Sequence, residues 1–232
     1  MRLLREALRK LRYKINFSGR RKEFKFSYYC NSHQNDDLTR LMNYYGSDKG
    51  GKNNQHNYSS YYSEIFSYRR KDIKNFLEVG LGTNDVNLES NMGSDGVPLA
   101  SLRAWRDYFI NANIYGADID KKILDNENRI KTFYVDQTDS ISISNLFQNI
   151  GDVKFDIILD DGFHNFDANV CLFENSIKHL TNDGTYIIED IYYKNQKKFL
   201  NYFKDKNYNY SLVNIYHENN IKNNSLIIIR KN

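Results

Sequence analysis

A repeated alternation of short apolar runs with amphipathic segments constrains the fold of this chain more than any other feature of its sequence. Each run is followed at once by a glycine or by a carboxylate residue. Short, almost continuously apolar runs are typical of strands that a parallel sheet buries on both faces. The runs that predict such strands are Phe76–Val79, Ile114–Ala117, Thr132–Val135, Phe155–Leu159 and Tyr186–Ile188.

Helical patterns separate these runs, and the pattern changes near the end of the chain. One helix is predicted from about Pro98, a residue favoured in the first helical turn, and another over about 166–180. Tyr210–Tyr216 and Ser225–Ile229 are two strand-like runs joined by an Asn-rich loop that leaves no room for a helix. We therefore predict an α/β fold with helices on both faces of a mostly parallel seven-stranded sheet and a C-terminal antiparallel hairpin at its edge.

The first 70 residues are polar and rich in tyrosine, so we predict a helical and loop cap over 1–70 and an α/β catalytic domain over 71–232. Met1–Phe17 alternates leucines with arginine and lysine, which predicts a short basic amphipathic helix. This helix is a candidate contact for a homo-oligomer, although packing on its own domain or on a membrane surface fits the same pattern.

The composition excludes several classes of protein. A net charge of +4 over 232 residues gives no concentrated basic field, so we expect no nucleic-acid partner. No run of apolar residues is long enough for a transmembrane helix. The two cysteines, Cys30 and Cys171, have no metal-ligand spacing, and we expect a cytoplasmic protein without a disulfide framework.

The loop after the first predicted strand has the sequence Glu78-Val79-Gly80-Leu81-Gly82. Its two glycines allow a tight turn and a close approach of the backbone to a ligand, and open parallel sheets bind ligands at this edge. A dinucleotide site of the G-x-G-x-x-G type is disfavoured, because Asp85 stands at the position of the third glycine. The next predicted strands end in Asp118 and in Asp136-Gln137.

Three carboxylates are predicted to meet at the ends of the last two parallel strands. One strand ends in Asp160-Asp161-Gly162-Phe163-His164, and the next ends in Glu189-Asp190. Like charges this close repel unless a cation lies between them, and Mg²⁺ prefers oxygen ligands. Such an ion lowers the pKa of a bound hydroxyl group, and a nearby histidine can then accept the proton.

Several blocks of the sequence resemble the metal-dependent sugar O-methyltransferases of macrolide biosynthesis, the mycinamicin and tylosin type, which have the class I methyltransferase (Rossmann-like) fold. The resemblance extends over about 41–195. The shared blocks are Gly46-Ser47-Asp48-Lys49, His56-Asn57-Tyr58, Leu77-Glu78-Val79-Gly80, Ser101-Leu102-Arg103-Ala104-Trp105, Asp160-Asp161-Gly162-Phe163-His164 and Ile188-Glu189-Asp190. It implies S-adenosylmethionine as one cofactor and Mg²⁺, or Mn²⁺, as the other.

The resemblance also implies a role for individual residues. The cofactor-binding residues are Glu78, Gly80 and Gly82 below the methionine end, Asp118 at the ribose, Asp136 and Gln137 near the adenine, and Asp160 facing the methionine part. The metal ligands are Asp161, Glu189 and Asp190, and the catalytic residues are His164, as general base, and Asp161. The candidate substrate-binding residues are His56, Tyr58 and Tyr192. Phe163 stands where the family usually has a small residue, which predicts a reshaped acceptor pocket.

We predict methyl transfer to a sugar hydroxyl, on a small-molecule substrate such as a nucleotide-activated sugar or a precursor of a surface (capsular) polysaccharide. Two alternatives remain at this point. The first is a nicotinamide-dependent sugar oxidoreductase or epimerase. The second is a non-catalytic glycan-binding subunit that retains the fold. RNA methylation is disfavoured, because the sole proline, Pro98, is not part of an N-P-P-Y motif.

Overall fold

The computed structural model describes residues 23–28, 36–51, 56–217, 219–220 and 222–232. The basic helix predicted over Met1–Phe17 lies outside these residues. Within the described residues no helix is both long and apolar enough to cross a membrane.

Eight strands of the described residues form one sheet in the order β1-β7-β8-β6-β5-β2-β3-β4. They are β1 (Glu23–Tyr28), β2 (Asn75–Val79), β3 (Asn113–Asp118), β4 (Ile130–Tyr134), β5 (Phe155–Asp160), β6 (Leu180–Ile188), β7 (Tyr208–Ile215) and β8 (Ser225–Lys231). All pairings are parallel except those of β8, which runs antiparallel to both β6 and β7. The seven predicted strands are therefore confirmed, including the C-terminal hairpin.

The helices cover both faces of the sheet, as predicted. They are α1 (Asp37–Tyr45), α2 (Tyr58–Phe66), α3 (Ala100–Tyr108), α4 (Ser140–Ile150), α5 (Phe166–Ser176) and α6 (Gln196–Lys204). Because side chains alternate along a strand, Phe76 of β2 packs into a core with α1, α2 and α3, whereas Leu77 packs into a second core with α4, α5 and α6. Complete burial of a side chain such as Phe76 stabilises the fold by about 1.5–3 kcal/mol.

The N-terminal segment contributes one strand that the sequence analysis did not predict. β1 pairs in parallel with β7, so this strand, and not the C-terminal hairpin, forms the edge of the sheet. In the sequence, Phe24, Phe26 and Tyr28 alternate with Lys25 and Ser27, and this period of two is a strand signal. The helices α1 and α2 share the core of α3, so these parts of the predicted cap pack directly on the sheet.

The order of the strands places a topological switch point between β2 and β5. From β2 the chain continues through β3 and β4 towards one edge, whereas β5 and β6 lie on the other side. The connections on the two sides leave a crevice above the carboxyl ends of β2 and β5, where sheets of this kind bind ligands.

His179, which the sequence analysis left without a role, supplies a test of stability far from this crevice. Its ring stacks on Phe147, with 3.9 Å between ring centroids and 3° between planes. Burial, with Lys154 and Lys178 nearby, lowers the pKa of His179 from 6.5 to about 4. The unfolded chain therefore binds more protons than the folded one between pH 6.5 and 4, so this residue destabilises the fold progressively as the pH falls through that window.

We expect His179→Phe to keep the ring packing and to remove this pH dependence. In urea unfolding at pH 7 and at pH 5, the wild-type protein should lose more free energy of unfolding between the two pH values than the variant loses. Equal losses in the two proteins would contradict the assignment.

Candidate active site

A cavity of about 660 Å³ opens above the carboxyl ends of the central strands. Its wall includes the loop after β2 and residues that follow β3, β4, β5 and β6. The sequence-predicted residues in this wall are His56, Gly80, Gly82, Asp118, Asp136, Gln137, Asp161, His164 and Asp190. Most of the predicted site residues therefore surround one space.

The glycine loop is pressed against the backbone of the neighbouring strand end. Gly80 has a φ of +97°, and a Cβ at this position would overlap the carbonyl group of Asp161. Gly82 has a φ of +79°, and a Cβ there would overlap the side chain of Met92. Both positions favour glycine, because L residues with a side chain rarely adopt this backbone conformation; at Gly80 the backbone of Asp161 also leaves no space for a side chain.

Asp118 fixes the glycine loop from the adjacent strand. One of its carboxylate oxygens accepts a hydrogen bond from the backbone N–H of Leu81 at 2.6 Å, and the other accepts one from Asp120 at 2.8 Å. Burial raises the pKa of Asp118, although these backbone donors oppose the shift. Asp118 therefore holds the glycine loop in place and at the same time lines the cavity.

Asp160 lies beneath the cavity and not in its wall, in contrast to the expectation that it faces the cofactor. It is completely buried, and its two oxygens accept hydrogen bonds from the side-chain amides of Gln137 at 2.6 Å and Asn169 at 2.9 Å. Burial raises the pKa of Asp160 to about 6. Gln137 in turn accepts a hydrogen bond from the backbone N–H of Phe163 at 2.8 Å. The physical reason for the difference is that β5 directs this carboxylate inward, where it holds the adjacent loops.

A lysine lies at the centre of the acidic residues, a position that the sequence does not predict. The Lys49 side chain is 2% exposed, and its ammonium group donates to Asp161 and, at 2.6 Å, to Glu189. Glu78 lies 3.6 Å from the same nitrogen. Burial alone would lower the pKa of Lys49, but the three carboxylates outweigh it and raise that pKa.

Glu78 and Glu189 are completely buried and lie below the cavity. Burial raises the pKa of Glu78 to about 7 against the opposing effect of Lys49. Burial also raises the pKa of Glu189, and the charge of Asp161 adds to this shift. The hydroxyl group of Tyr62 donates a hydrogen bond to Glu189, whose carboxylate is thus held between Tyr62 and Lys49.

Asp161, His164 and Asp190 form a second group on the cavity side. In the described residues these three each offer one possible ligand atom, and the atoms lie within 4.8 Å of one another. The Nε2 atom of His164 is 3.5 Å from one oxygen of Asp190, and His56 Nδ1 is 3.3 Å from the other. Tyr58 donates a hydrogen bond to that second oxygen and is itself buried, so it positions Asp190 instead of lining the cavity.

The backbone at this group is unusual. His164 and Asp190 have φ values of 54° and 55°, and they are two of the four described non-glycine residues with a positive φ. Such conformations cost of order 1–3 kcal/mol each and cluster at functional sites. In addition, His164 Nδ1 is buried and has no hydrogen-bond partner among the described residues. These features favour a functional role for the turn that follows β5.

The loop between Thr83 and Val97 forms another part of the cavity wall. Asn84 donates hydrogen bonds to the carbonyl oxygens of Gly93 and Gly96, which closes the loop on itself. Ser90 donates to the carbonyl oxygen of Gly162 at 2.8 Å and so connects the loop to the turn after β5. Tyr192, a predicted substrate-binding residue, does not line the cavity; its ring contacts Tyr193, with centroids 4.8 Å apart.

No protein-family profile matches the chain, but curated proteins do. The mycinamicin VI 2''-O-methyltransferase of Micromonospora griseorubida is 33% identical over 158 residues, which make up 67% of this chain and 36% of that protein. The demethylmacrocin O-methyltransferase of Streptomyces fradiae is 32% identical over 157 residues, with the same two shares, 67% and 36%. The chain thus spans little more than a third of the length of these relatives.

Solved structures agree with this result. The MycE methyltransferase from the mycinamycin biosynthetic pathway, in complex with Mg and SAH, superposes with a TM-score of 0.64 at 25% identity over 84% of this chain and 53% of that one. A second crystal of the same complex gives 30% identity with a TM-score of 0.57, over 71% and 39%. The chain is a homologue of the macrolide-type sugar O-methyltransferases.

This chain has the class I methyltransferase fold. A putative caffeoyl-CoA O-methyltransferase from Staphylococcus aureus, only 14% identical, matches 86% of this chain and 94% of its own length with a TM-score of 0.57, which supports the fold alone. The predicted family resemblance and the predicted fold class are therefore confirmed.

Proposed function

We propose that this protein is an S-adenosylmethionine-dependent and divalent-metal-dependent O-methyltransferase that acts on a sugar hydroxyl group. One observation carries the proposal. Asp161, His164 and Asp190 meet in the wall of a cavity, and directly beside them in the same wall is the glycine loop, whose Gly80 has no room for a side chain. A metal-activated hydroxyl and a bound methyl donor can be aligned only where two such sites adjoin.

The donor would occupy the part of the cavity bordered by Gly80, Gly82, Asp118, Asp136 and Gln137. The two glycines leave the backbone accessible to the methionine end, and Asp118 is the carboxylate for the ribose hydroxyls. Asp136 and Gln137 border the space for the adenine. Glu78 and Asp160 support this wall from beneath and need not touch the cofactor.

The residues present fit a hard divalent cation. Asp161 and Asp190 offer carboxylate oxygens at the cavity, and Glu189, the third ligand that the resemblance implies, lies behind them, paired with Lys49 and Tyr62. Oxygen ligands and an excess of negative charge are what Mg²⁺ and Mn²⁺ require. When bound, the ion would lower the pKa of the acceptor hydroxyl and orient it.

His164 would act as the general base. It lies 3.5 Å from Asp190, at the cavity, so its imidazole can accept the proton of a hydroxyl held beside this carboxylate. His164 has a positive φ, and Phe163 beside it is among the exposed large apolar side chains. S-adenosylmethionine, held at Gly80, Gly82 and Asp118, would supply the sulfonium methyl group for the deprotonated hydroxyl and would be released as the neutral thioether.

The relatives suggest the chemical class of the acceptor. Two relatives are named as enzymes that methylate a sugar hydroxyl group. One is the mycinamicin VI 2''-O-methyltransferase. The other is an 8-demethyl-8-alpha-L-rhamnosyl tetracenomycin-C 2'-O-methyltransferase of Streptomyces olivaceus, which is 33% identical over 63% of this chain and 35% of its own length. Within that class we propose a nucleotide-activated sugar or a polysaccharide precursor. His56, which lines the cavity, is the candidate contact, with Tyr58 behind it and Tyr192 outside the wall.

Calorimetric titration tests this function against its alternatives. We expect micromolar or tighter binding of S-adenosylhomocysteine, no binding of NAD, and binding of Mn²⁺ that EDTA reverses. A panel of nucleotide sugars and rhamnosides, with the methyl donor present, should then yield a methylated product. Tight binding of NAD would favour the oxidoreductase, and donor binding without turnover on any sugar would favour the non-catalytic subunit.

A further inference from the structure

The loop between Thr83 and Val97 returns to the glycine loop and brings a methionine side chain against it. A Cβ at Gly82 would overlap the Cε and Sδ atoms of Met92, and a Cβ at Gly96 would overlap its Cβ and Cε atoms. The Met92 side chain therefore lies between two glycines. It also lines the cavity, on the side where the glycine loop does.

The backbone that carries Met92 is held in place by hydrogen bonds. The N–H of Met92 donates to the carbonyl oxygen of Thr83 at 2.8 Å, and the hydroxyl group of Thr83 donates to Asp120 at 2.5 Å. The side-chain amide of Asn84 donates to the carbonyl oxygen of Gly96 at 3.0 Å. The flexible thioether side chain thus extends from a part of the loop that is itself fixed.

A further hydrogen bond attaches this part of the loop to the turn that carries the proposed base. Ser90, two residues before Met92, donates to the carbonyl oxygen of Gly162 at 2.8 Å. Gly162 lies between Asp161 and His164 in the sequence. The bond therefore restricts how far Met92 can move from the place where the glycine loop and this turn adjoin.

Packing of the protein interior does not account for the position of Met92. The residue belongs to neither of the two hydrophobic cores that the described residues form. It is instead an apolar side chain in the wall of a cavity that is otherwise bordered by many polar groups. An unbranched and polarisable thioether adapts readily to the shape of a ligand, so a ligand contact explains this placement better than a structural role.

We propose that Met92 is a donor-contact residue, which supplies apolar surface to the S-adenosylmethionine site beside the glycine loop. This inference rests on the proposed function and deepens it. The glycine loop offers backbone atoms to the donor, and Met92 shields that contact from water. Gly82 serves the same contact, because a side chain at this position displaces Met92 from the wall.

Nuclear magnetic resonance of the methionine methyl groups tests the contact directly, because the chain contains only Met1, Met42 and Met92. Protein labelled with ¹³C at these groups is titrated with S-adenosylhomocysteine, and the signal absent from Met92→Leu identifies Met92. We expect this signal to shift and to show a nuclear Overhauser effect to protons of the ligand. The signal of Met42, which is completely buried in a core, should stay unchanged.

Two negative results have different meanings in this experiment. Saturated binding of S-adenosylhomocysteine without a nuclear Overhauser effect at Met92 overturns the inference and leaves the proposed function intact. If the wild-type protein does not bind S-adenosylhomocysteine at all, the proposed function itself is contradicted.

Calorimetry on variants supplies a second test. Because Met92→Ala removes most of the apolar surface of the side chain, we expect it to bind S-adenosylhomocysteine about tenfold more weakly than wild type. Met92→Leu retains an apolar side chain of similar volume and should stay within a few-fold of wild type. Val86→Ala is the matched control, since Val86 lies in the same loop, is 75% exposed and does not line the cavity. An affinity of Met92→Ala equal to or above that of Val86→Ala would refute the contact.

Discussion

Replacing His164 with alanine is expected to lower kcat for methyl transfer by roughly 10²- to 10⁴-fold, the usual contribution of a general base. The residue lies beside Asp190 at the cavity; among the described residues His56 also lies close to Asp190, but only His164 offers a possible ligand atom within the group that Asp161 and Asp190 form. Because the metal would still lower the pKa of the acceptor, some turnover should remain. The measurement is the single-turnover rate with saturating donor and metal.

Binding measurements separate this role from a structural one. His164→Ala should bind S-adenosylhomocysteine within a few-fold of wild type, since the glycine loop and Asp118 are unchanged. His164→Gln, which keeps a polar side chain of similar reach, should be as slow as His164→Ala. If either variant keeps the full kcat, another group accepts the proton.

The second large effect is expected from Gly80→Ala. The added Cβ overlaps the carbonyl of Asp161, and the positive φ of +97° is unfavourable for alanine. Relieving the overlap requires the glycine loop and the turn after β5 to separate, which should weaken S-adenosylhomocysteine binding at least 100-fold. Backbone strain and overpacking each cost about 1–3 kcal/mol, so the free energy of unfolding should fall by about 2–6 kcal/mol.

Gly151→Ala is the matched control for this substitution. Gly151 has a similar φ of +89°, but a Cβ there meets no atom within 4 Å. It should therefore lose only the part of the stability that arises from backbone strain, and its affinity for S-adenosylhomocysteine should be unchanged. If calorimetry finds the two variants equally impaired, the close approach of Gly80 to Asp161 does not govern the cofactor site.

The fold was largely predictable because burial on both faces leaves a strong signal in the sequence. β2 and β5 are mostly apolar and almost fully buried, and their carboxyl ends carry residues that the cavity brings together. β1 is not predicted because it is an edge strand in a polar segment, where an alternation of apolar and polar residues is weak evidence for a strand. β6 begins at Leu180, six residues before the predicted run, because its first half contains polar residues.

The site was predictable in its acidic residues but not in its balance of charge. The position of strand ends identifies Asp161 and Asp190, whereas the side that each carboxylate faces depends on contacts distant in the sequence. Lys49 is 112 residues from Asp161 and 140 from Glu189. Near Lys49 in the sequence, the Gly46-Ser47-Asp48-Lys49 block does not indicate whether the lysine side chain is buried or exposed. The inward direction of Asp160 likewise depends on Gln137 and Asn169.

The close approach of Gly80 to the peptide of Asp161 limits which substitutions this site can accept during evolution. The main chain of Asp161 supports the donor loop, while its side chain belongs to the cluster of charges. A shift in the position of Asp161 would therefore change both the glycine loop and the charged cluster, so a substitution that moves this residue affects the two together. Changes of acceptor are therefore expected in parts of the cavity wall that leave this contact unchanged, such as the loop between Thr83 and Val97.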